Sequence, residues 1–194
     1  MKKPDEALMT DYKLGNLDAL EEIFQRYKKP ILNYAFRILN NRADAEDAVG
    51  ETFYILTNKK DSYTPKKGAK FSTWLYTIAH NVCINIIRKK KRIVFIWSKQ
   101  DKNDKEYKQW DIPDFKNLPD ENAEKSDNAL FVKRAINKLP LNLREALILR
   151  EYQQLSYQEI SSVLSCTISK VKVLIFRGRE RLRKDLLPLI EEAR

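Results

Sequence analysis

Apolar residues recur at three- and four-residue intervals along most of this chain, and that periodicity limits the folds open to it. Stripes of this kind run over residues 17–38, 45–56 and 74–86, and they resume at about Ala129. The chain contains only four glycines, and it has few of the alternating β-branched runs that are typical of strands. The pattern therefore predicts an all-α protein.

The periodicity lapses in the middle of the chain, between about Ser98 and Asn128. Pro113 and Pro119 lie there among many Asp, Asn and Lys residues, and the part from Asp111 onward is mostly acidic. Such a segment offers no apolar face to bury and is typical of a linker. We therefore expect two small helical domains, over residues 1–97 and 129–194, joined by a flexible linker over residues 98–128.

The chain is strongly basic, with a formal net charge of +10, which indicates a polyanionic partner such as nucleic acid or an anionic membrane surface. Cys83 and Cys166 lie far apart and His80 is the only histidine, so we expect no metal site and no cofactor. We recognise no nucleophile–base pair, glycine-rich phosphate loop or carboxylate dyad, so we expect neither an enzyme nor a small-molecule substrate. The longest apolar run, residues 93–97, is too short to span a bilayer, and no secretory segment is recognisable. We therefore expect a cytoplasmic protein with reduced thiols.

Residues 156–183 predict a helix-turn-helix whose second helix is rich in basic residues. Ser156 and Glu159 have the spacing of a capping box at the start of the first helix. Ser165 and Cys166 would form the turn, and Thr167 can cap the second helix. The arrangement is typical of proteins that insert the second helix into the DNA major groove, and the alternative is an amphipathic hairpin with a solvated basic face. The polar side of the second helix carries Ser169, Lys170, Lys172, Arg177, Arg179 and Arg183.

An acidic face is unexpected in so basic a chain, yet the helix predicted around residues 45–56 carries one. Asp44, Asp47 and Glu51 are three or four positions apart and share this face with Tyr54 and Asn58, because that spacing aligns side chains on a helix. The face could be simply solvated, could complement the helix dipole, or could dock a basic partner. Metal binding is the weaker interpretation, since no histidine or second carboxylate cluster completes a site.

The helix predicted over residues 74–86 has the opposite character. Cationic and aromatic side chains occur together there, and they suit single-stranded nucleic acid because charges bind phosphates and rings stack on unpaired bases. Trp74 fits better in the protein core, while Tyr76 fits either role. The exposed side would carry Thr73, Thr77, Asn81, Asn85 and Arg88, with Lys66, Lys67 and Lys70 in the preceding loop and a basic run over residues 88–92.

Two sets of residues resemble the extracytoplasmic-function sigma factors of bacterial RNA polymerase. Residues 44–53 (DAEDAVGETF), 71–81 (FSTWLYTIAHN) and 88–92 (RKKKR) resemble region 2 of that family. Residues 139–146 (LPLNLREA) and 155–183 resemble its region 4. Together the two sets cover nearly the whole chain apart from the linker, in the order in which the family has them.

The resemblance implies a dissociable subunit that gives RNA polymerase its promoter specificity. Asp47 and Glu51, with Asp44 nearby, would dock on the basic coiled coil of the clamp of the core enzyme, and the flap of the core enzyme would be a further contact. The linker would thread the polymerase interior. Family members are commonly held inactive by an anti-sigma factor, so such a partner is expected as well.

Promoter DNA is the other partner that the resemblance implies. The 61–72 loop and the exposed side of the following helix would capture and help to melt the −10 element, while the helix-turn-helix would read the −35 element. The −10 contacts would come from Lys66, Lys67, Lys70, Tyr76, Thr77, Asn81, Arg88, Lys89 and Arg92. The −35 contacts would come from Thr167, Ser169, Lys170, Lys172, Val173, Arg177 and Arg179.

Several positions depart from the family pattern. Gly50 replaces the usual glutamine of the docking motif, and Thr57 stands where an aromatic residue is frequent. Asn85 replaces a common aspartate. Val173 and Leu174 replace a common Ser-Arg pair, and either residue could contact thymine methyl groups or pack internally.

Two other functions are open from the residues alone. One is an autonomous helix-turn-helix regulator whose first domain senses a ligand or dimerises; it would bind its duplex site tightly without polymerase. The other is a nucleic-acid-processing enzyme that uses Asp44, Asp47 and Glu51 with a divalent ion. That enzyme would cleave DNA or RNA in the presence of magnesium.

Overall fold

The computed structural model describes residues 3–64, 70–100 and 127–192, and it describes side chains over 3–64, 70–92 and 130–187. Within these ranges every regular element is helical, as the sequence predicts. The predicted linker, apart from its first and last few residues, lies outside the described residues, as do Lys66 and Lys67. The elements are α1 (Asp5–Lys13), α2 (Leu17–Leu39), α3 (Arg42–Asn58), a 3₁₀ turn (Lys60–Ser62), α4 (Phe71–Gln100), α5 (Asp127–Lys138), α6 (Leu141–Leu147) with a following π turn (Ile148–Tyr152), α7 (Tyr157–Val163) and α8 (Ile168–Glu192).

Helices α1 to α4 form the first unit, in which α2, α3 and α4 pack on one another and α1 lies against α2 and α4. Two asparagines make the corner between α2 and α3. Asn40 has a left-handed φ of 54°, and the side chain of Asn41 accepts a hydrogen bond from the N–H of Asp44 to cap α3. The predicted apolar stripes supply most of the core, although Leu17 at the start of α2 was wrongly expected to be buried and is 70% exposed. The core includes Ile23, Ile31, Tyr34, Ile38, Ala45, Leu56, Leu75 and Val82.

Pro30 does not divide the helix in which it lies. A proline in a helix interior commonly kinks or ends the helix, but α2 continues from Leu17 to Leu39 as a single helix. A proline inside a helix costs about 3 kcal/mol, because it removes a hydrogen bond and crowds the preceding turn. Ile23 precedes it and Ile31, Tyr34 and Ile38 follow it, and all four are buried. Burial of this stripe on both sides of the proline offsets that cost.

Helices α5 to α8 form the second unit, with the predicted helix-turn-helix in α7 and α8. Ser156 and Glu159 form the predicted capping box, with both reciprocal hydrogen bonds present. Ser165 turns the chain with a left-handed φ of 49°. The Thr167 hydroxyl accepts a hydrogen bond from the N–H of Lys170 at 3.2 Å, so this cap is also confirmed.

The two units lie against each other, with α7 on α4 and the α6 region on α2. At this boundary the Asn137 amide donates a hydrogen bond to the Asn40 side chain at 3.0 Å. The Arg37 guanidinium lies 4.0 Å from the centre of the Tyr152 ring. The sequence did not determine this placement, because a linker permits the units to lie together or apart. We call it the closed arrangement.

Candidate functional site

The acidic face of α3 is open to solvent. Asp47, Glu51 and Tyr54 are all exposed along one side of the helix. Ala45, Ala48, Thr52, Phe53 and Leu56 are buried on the opposite side, and they fix the orientation of α3 in the unit. The core therefore presents two carboxylates and an aromatic ring to a partner at helical spacing.

Asp44 has a different environment from the other two carboxylates. Its side chain is half-buried and forms an ion pair with the ammonium group of Lys90 on α4. Its backbone N–H is occupied by the cap from Asn41. Asp44 therefore joins α3 to the basic end of α4, whereas Asp47 and Glu51 point to solvent.

Gly50 leaves a gap in the acidic face. The residue is exposed, and a Cβ atom added there would meet nothing within 4 Å. A residue with a side chain could therefore replace Gly50 without a clash at its Cβ atom. The absence of the family's usual glutamine removes a side chain from the face and leaves the orientation of α3 unchanged.

The predicted −10 residues on α4 fall into an exposed and a covered group. Asn81, Arg88, Lys89 and Arg92 are exposed along one side of the helix. Thr77 is half-buried, and its hydroxyl donates to the carbonyl of Thr73 at 2.8 Å. The carboxyl-terminal part of the surface thus offers an amide and three cations to solvent, a set suited to phosphates and base edges.

Tyr76 and Thr73 belong to the covered group. Tyr76 is only 4% exposed, and its hydroxyl donates to the side-chain oxygen of Gln153 in the second unit. Burial raises the pKa of Tyr76 above its ordinary value, so the hydroxyl remains a donor. Thr73 is also buried, although the sequence placed it on the exposed side of the helix. That placement was wrong for the closed arrangement, because α7 packs over this part of α4.

Lys70 also faces the second unit. Its ammonium nitrogen lies 3.0 Å from a carboxylate oxygen of Glu159, the residue that completes the capping box of α7. Burial by itself would raise the pKa of Glu159, but the hydrogen bonds from Ser156 and the charge of Lys70 outweigh it and lower that pKa. Lys70 and Tyr76 therefore both make contacts that DNA would have to replace.

An aromatic cluster joins the ends of the segment between the 3₁₀ turn and α4. The Tyr63 ring lies 5.5 Å from Phe71 and 5.2 Å from Trp74, while Tyr27 meets Phe71 edge-on at 5.6 Å. Trp74 is half-buried in this cluster, in line with the core role that the sequence favoured. The rings fix where the chain leaves the 3₁₀ turn and where it enters α4.

His80 is buried on α4 at the boundary with the second unit. The hydroxyl of Tyr34 lies 3.2 Å from Nδ1 of His80. Complete burial holds the pKa of Tyr34 well above its ordinary value, so the phenol stays protonated, and the tautomer of His80 determines whether it donates to Nδ1 or accepts from it. Burial also lowers the pKa of His80 to about 4, and the imidazole is neutral at physiological pH.

Glu145 approaches the same nitrogen from α6. Its Oε1 atom lies 3.8 Å from Nδ1 of His80, which is too far for a hydrogen bond, and this oxygen has no hydrogen-bond partner among the described residues. Burial raises the pKa of Glu145 to about 7, against a smaller opposite effect of Arg144. The pair is therefore a buried carboxyl group beside a neutral imidazole rather than an ion pair.

Helix α8 and the preceding Thr167 expose every residue that the sequence assigned to the −35 element. Val173 is 46% exposed, but Leu174 is 7% exposed, so Leu174 packs internally and only Val173 is free to meet a base. Arg179 donates two hydrogen bonds to Glu151, at 3.0 and 2.6 Å. The exposed set is Thr167, Ser169, Lys170, Lys172, Val173, Arg177 and Arg179.

Phe176 belongs to the same surface and was missed in the sequence analysis. Its ring is 67% exposed, three positions after Val173 and four after Lys172. A helical wheel of α8 places it beside these two residues, which is the signal that could have identified it. A phenylalanine in this position can contact thymine methyl groups.

An apolar groove of about 440 Å³ lies on the second unit between α5, α6 and α8. Its rim carries Glu151, Tyr152, Arg179 and Arg183. Its floor is aliphatic and is lined by Val132, Ile136, Leu147, Ile148 and Leu182.

Within the described parts of the chain, no group of three or more His, Cys, Asp or Glu side chains is placed to hold a metal ion. Over the same residues, no helix has the length and apolar character needed to cross a membrane.

Comparisons with known proteins match both units. The family model described as Sigma-70 region 2 matches residues 23–93, and the one described as Sigma-70, region 4 matches residues 132–182. The ECF RNA polymerase sigma factor SigW of Bacillus subtilis is 34% identical, over 91% of this chain and 94% of its own length. The RNA polymerase sigma factor YlaC of the same species is 31% identical, over 91% of this chain and 97% of its own length.

A solved structure is similar over most of its length. It is the complex of the sigma factor RpoE with the anti-sigma factor NepR from Bartonella quintana. Its sigma chain is 25% identical with a TM-score of 0.69, covering 86% of this chain and 95% of that one.

Proposed function

This chain belongs to the extracytoplasmic-function family of RNA polymerase sigma factors, and from that premise we propose how its surfaces divide the work of initiation. It is a transcription initiation factor that binds core RNA polymerase and directs it to promoters through −10 and −35 elements. The assignment of these contacts to residues rests on one observation: the acidic face of α3 and the basic face of α8 are both exposed, on different units.

We propose that Asp47, Glu51 and Tyr54 dock on the basic coiled coil of the polymerase clamp. The two carboxylates are exposed and one helical turn apart, which suits a partner with cations at the same spacing. Asp44 contributes through its ion pair with Lys90, which fixes α3 relative to α4. For the flap of the core enzyme, we propose the apolar groove of the second unit.

We propose that α4 captures the −10 element through Asn81, Arg88, Lys89 and Arg92, with Thr77 at the edge of the surface. Lys66 and Lys67 are assigned by resemblance alone. Lys70 and Tyr76 join them only after leaving Glu159 and Gln153. The −35 element is assigned to the exposed residues of α8, where Lys172 and Arg177 supply charge and Val173 an apolar contact.

The closed arrangement has to open for both elements to be bound. The names of the elements place them about 25 base pairs apart, roughly 85 Å along the duplex at about 3.4 Å per base pair. In the closed arrangement α7 of the helix-turn-helix lies directly on α4. Separation of the units would release Tyr76 and Lys70 from their contacts with the second unit. It would also allow the linker to extend across the distance between the two elements.

We further propose that an anti-sigma factor controls this protein, that it acts in the cytoplasm with the polymerase, and that it has no catalytic activity of its own. The similar RpoE chain was solved bound to the anti-sigma factor NepR, which supports the first point. The relatives are named as sigma factors rather than as enzymes, which supports the last.

Charge reversal on α3 tests the docking assignment. We expect Asp47→Arg and Glu51→Arg each to lower the affinity for core polymerase by about tenfold or more, because a cation would then face the basic clamp. Glu21→Arg is the matched control, since Glu21 is exposed on α2 and undergoes the same change of charge. The affinity is measured by fluorescence anisotropy of labelled protein titrated with core enzyme.

Two outcomes would contradict the proposal. If Glu21→Arg weakens binding as much as Glu51→Arg, the effect is one of net charge and the docking face is wrong. If the wild-type chain does not bind core polymerase at low salt, or binds a promoter duplex equally tightly without it, the assignment of function to these surfaces fails. Transcription with core enzyme on fragmented genomic DNA, followed by start-site mapping, identifies the promoters.

A further inference from the structure

Helix α1 precedes the part of the chain that the region 2 model matches, which begins at residue 23. It nevertheless contacts α4 and the 3₁₀ turn as well as α2. These contacts fall on both sides of the segment that leads into the proposed −10 surface. Two charged side chains of α1, Glu6 and Lys13, donate or accept hydrogen bonds there.

Glu6 supplies a cap that the residue before α4 cannot. Helix α4 begins at Phe71 and is preceded by Lys70, whose side chain offers no acceptor to the first N–H groups of the helix. Oε1 of Glu6 accepts the hydrogen bond from the N–H of Phe71 at 3.1 Å, across 65 positions of sequence. A carboxylate also complements the positive end of the helix dipole. The start of α4 is therefore bound to α1.

Lys13 holds the other side of the same segment. Its ammonium group donates to the carbonyl of Tyr63 and lies 5.7 Å from the centre of the Tyr63 ring. Tyr63 packs in turn against Phe71 and Trp74. One nine-residue helix thus binds the backbone just before and just after residues 64–70.

Helix α1 is itself firmly placed. Leu8, Met9 and Tyr12 are buried in the core of the first unit. The carboxylate of Asp5 accepts hydrogen bonds from Arg26 at 2.6 Å and from the hydroxyl of Tyr27 at 2.5 Å, both on α2. Because α1 is anchored on α2, its two charged contacts fix the entry to α4 relative to the core.

We propose that Glu6 and Lys13 are positioning residues for −10 recognition: α1 sets the place and direction in which α4 begins, and so aligns the side chains that meet the melted strand. The inference rests on the proposed role of α4 in binding the −10 element. It adds an element outside the matched region 2, acting through backbone groups of Phe71 and Tyr63 without touching DNA.

The test compares Glu6→Ala, Glu6→Gln and Lys13→Ala, with Glu21→Ala as the matched control on α2. The probe is a single-stranded oligonucleotide from the non-template strand of a promoter mapped with this protein, and the −35 duplex of the same promoter is the second ligand. Both are titrated against holoenzyme. We expect Glu6→Ala and Lys13→Ala to lower affinity for the single strand about fivefold, with the −35 duplex affinity unchanged.

Glu6→Gln separates positioning from charge. The amide oxygen of glutamine can still accept the hydrogen bond from Phe71, so we expect this variant to bind the single strand within about twofold of the wild type. The inference is overturned if Glu6→Ala binds as the wild type does, or if Glu6→Gln is as weak as Glu6→Ala. It is also overturned if the −35 duplex affinity falls equally, because the effect would then be general destabilisation.

Asn81→Ala and Arg88→Ala in the same titration test the proposed −10 role of α4 separately from the positioning role of α1. If these variants bind the single strand normally, the proposed −10 role of α4 is wrong. If they lose affinity while Glu6→Ala and Lys13→Ala keep it, only the positioning inference fails. Thermal unfolding of each variant identifies any that does not fold, and Lys13→Ala tests the other side of the segment independently of the cap.

Discussion

Gly50 and Gly178 both lie within helices, yet their surroundings give opposite expectations for the same substitution. Gly50 is exposed on α3, with open space where a Cβ atom would lie. At Gly178 on α8, an added Cβ would lie 2.6 Å from Cδ1 and 2.9 Å from Cγ of Leu147. Leu147 is itself buried, so its side chain can move away from an added Cβ only toward the apolar groove that it lines. Gly178 therefore permits the close approach of α8 to α6.

We expect Gly50→Ala to stabilise the protein by about 1 kcal/mol, because alanine restricts the unfolded chain and favours the helix. The same gain applies at Gly178, but overpacking against Leu147 costs about 1–3 kcal/mol. Gly178→Ala should therefore be destabilising, by up to about 2 kcal/mol. Urea unfolding of both variants measures the difference, and a stabilised Gly178→Ala would show that Leu147 repacks without strain.

Element by element, α8 serves two surfaces at once. Val171, Leu174 and Ile175 are buried and hold the helix in the second unit. Lys172, Val173 and Phe176 alternate with them on the solvent side. Since the helical repeat separates the two sets, the exposed side chains can change without disturbing the fold.

Removing one exposed cation from α8 should change the salt dependence of −35 binding. We expect Lys172→Ala to weaken binding of the −35 duplex by the holoenzyme and to reduce the slope of log K against log salt by about 0.9, the value for one lost phosphate contact. Lys29→Ala, an exposed lysine on α2, should leave the slope unchanged. Titrations at several salt concentrations measure it, and equal slopes for Lys172→Ala and the wild type would remove Lys172 from the interface.

At the scale of the whole molecule, the closed arrangement buries one carboxyl group and one imidazole together. Burial favours the uncharged form of each group. Glu145 from the second unit and His80 from the first are buried together, with pKa values of about 7 and about 4 respectively. The groups that face this pair do not change charge between these values, since arginines stay cationic and the buried thiol and phenol stay protonated. They are Arg144 on α6, Arg88 and Cys83 on α4, and Tyr34 on α2.

The two groups give pH dependences of opposite sign. Burial raises the pKa of Glu145 from 4.5 to about 7, and the part of this burial that closing supplies favours closure fully below about pH 4.5 and is lost as pH rises through about 7. Burial lowers the pKa of His80 from 6.5 to about 4, and the part that closing supplies favours closure fully above about pH 6.5 and is lost as pH falls toward 4. Between pH 4.5 and 6.5 the two contributions oppose each other.

We therefore expect the closed population of the wild type to change little between about pH 4.5 and 6.5 and to fall between about 6.5 and 7. In Glu145→Gln the fall should disappear, and closure should strengthen steadily as pH rises from about 4 to 6.5. Small-angle X-ray scattering measures the change through the radius of gyration, with Glu21→Gln as the control. A fall above pH 6.5 that persists in Glu145→Gln would show that another group controls closure.

Sequence reasoning identified the features that depend on near neighbours along the chain. The capping box of Ser156 and Glu159, the Thr167 cap and the exposed acidic face at Asp47 and Glu51 all follow from spacings of three or four residues. Such interactions are determined by helical geometry, which is the same whatever the helix packs against. The family resemblance, carried by the same short motifs, was confirmed for this reason too.

Only the tertiary structure decided what lies opposite each helix. From the sequence, Tyr76 could belong to the core or bind DNA, and the structure shows its hydroxyl hydrogen-bonded to Gln153, 77 positions away. Leu174 had the same two alternatives, and the structure shows it buried. Helix α1 was not identified from the sequence, because the proposed role of Glu6 depends on a hydrogen bond from the N–H of Phe71, which is distant along the chain. The sequence determines which side chains share a helix face. Their burial and their partners depend on contacts between segments far apart in the chain, and hydrophobic periodicity does not indicate those contacts.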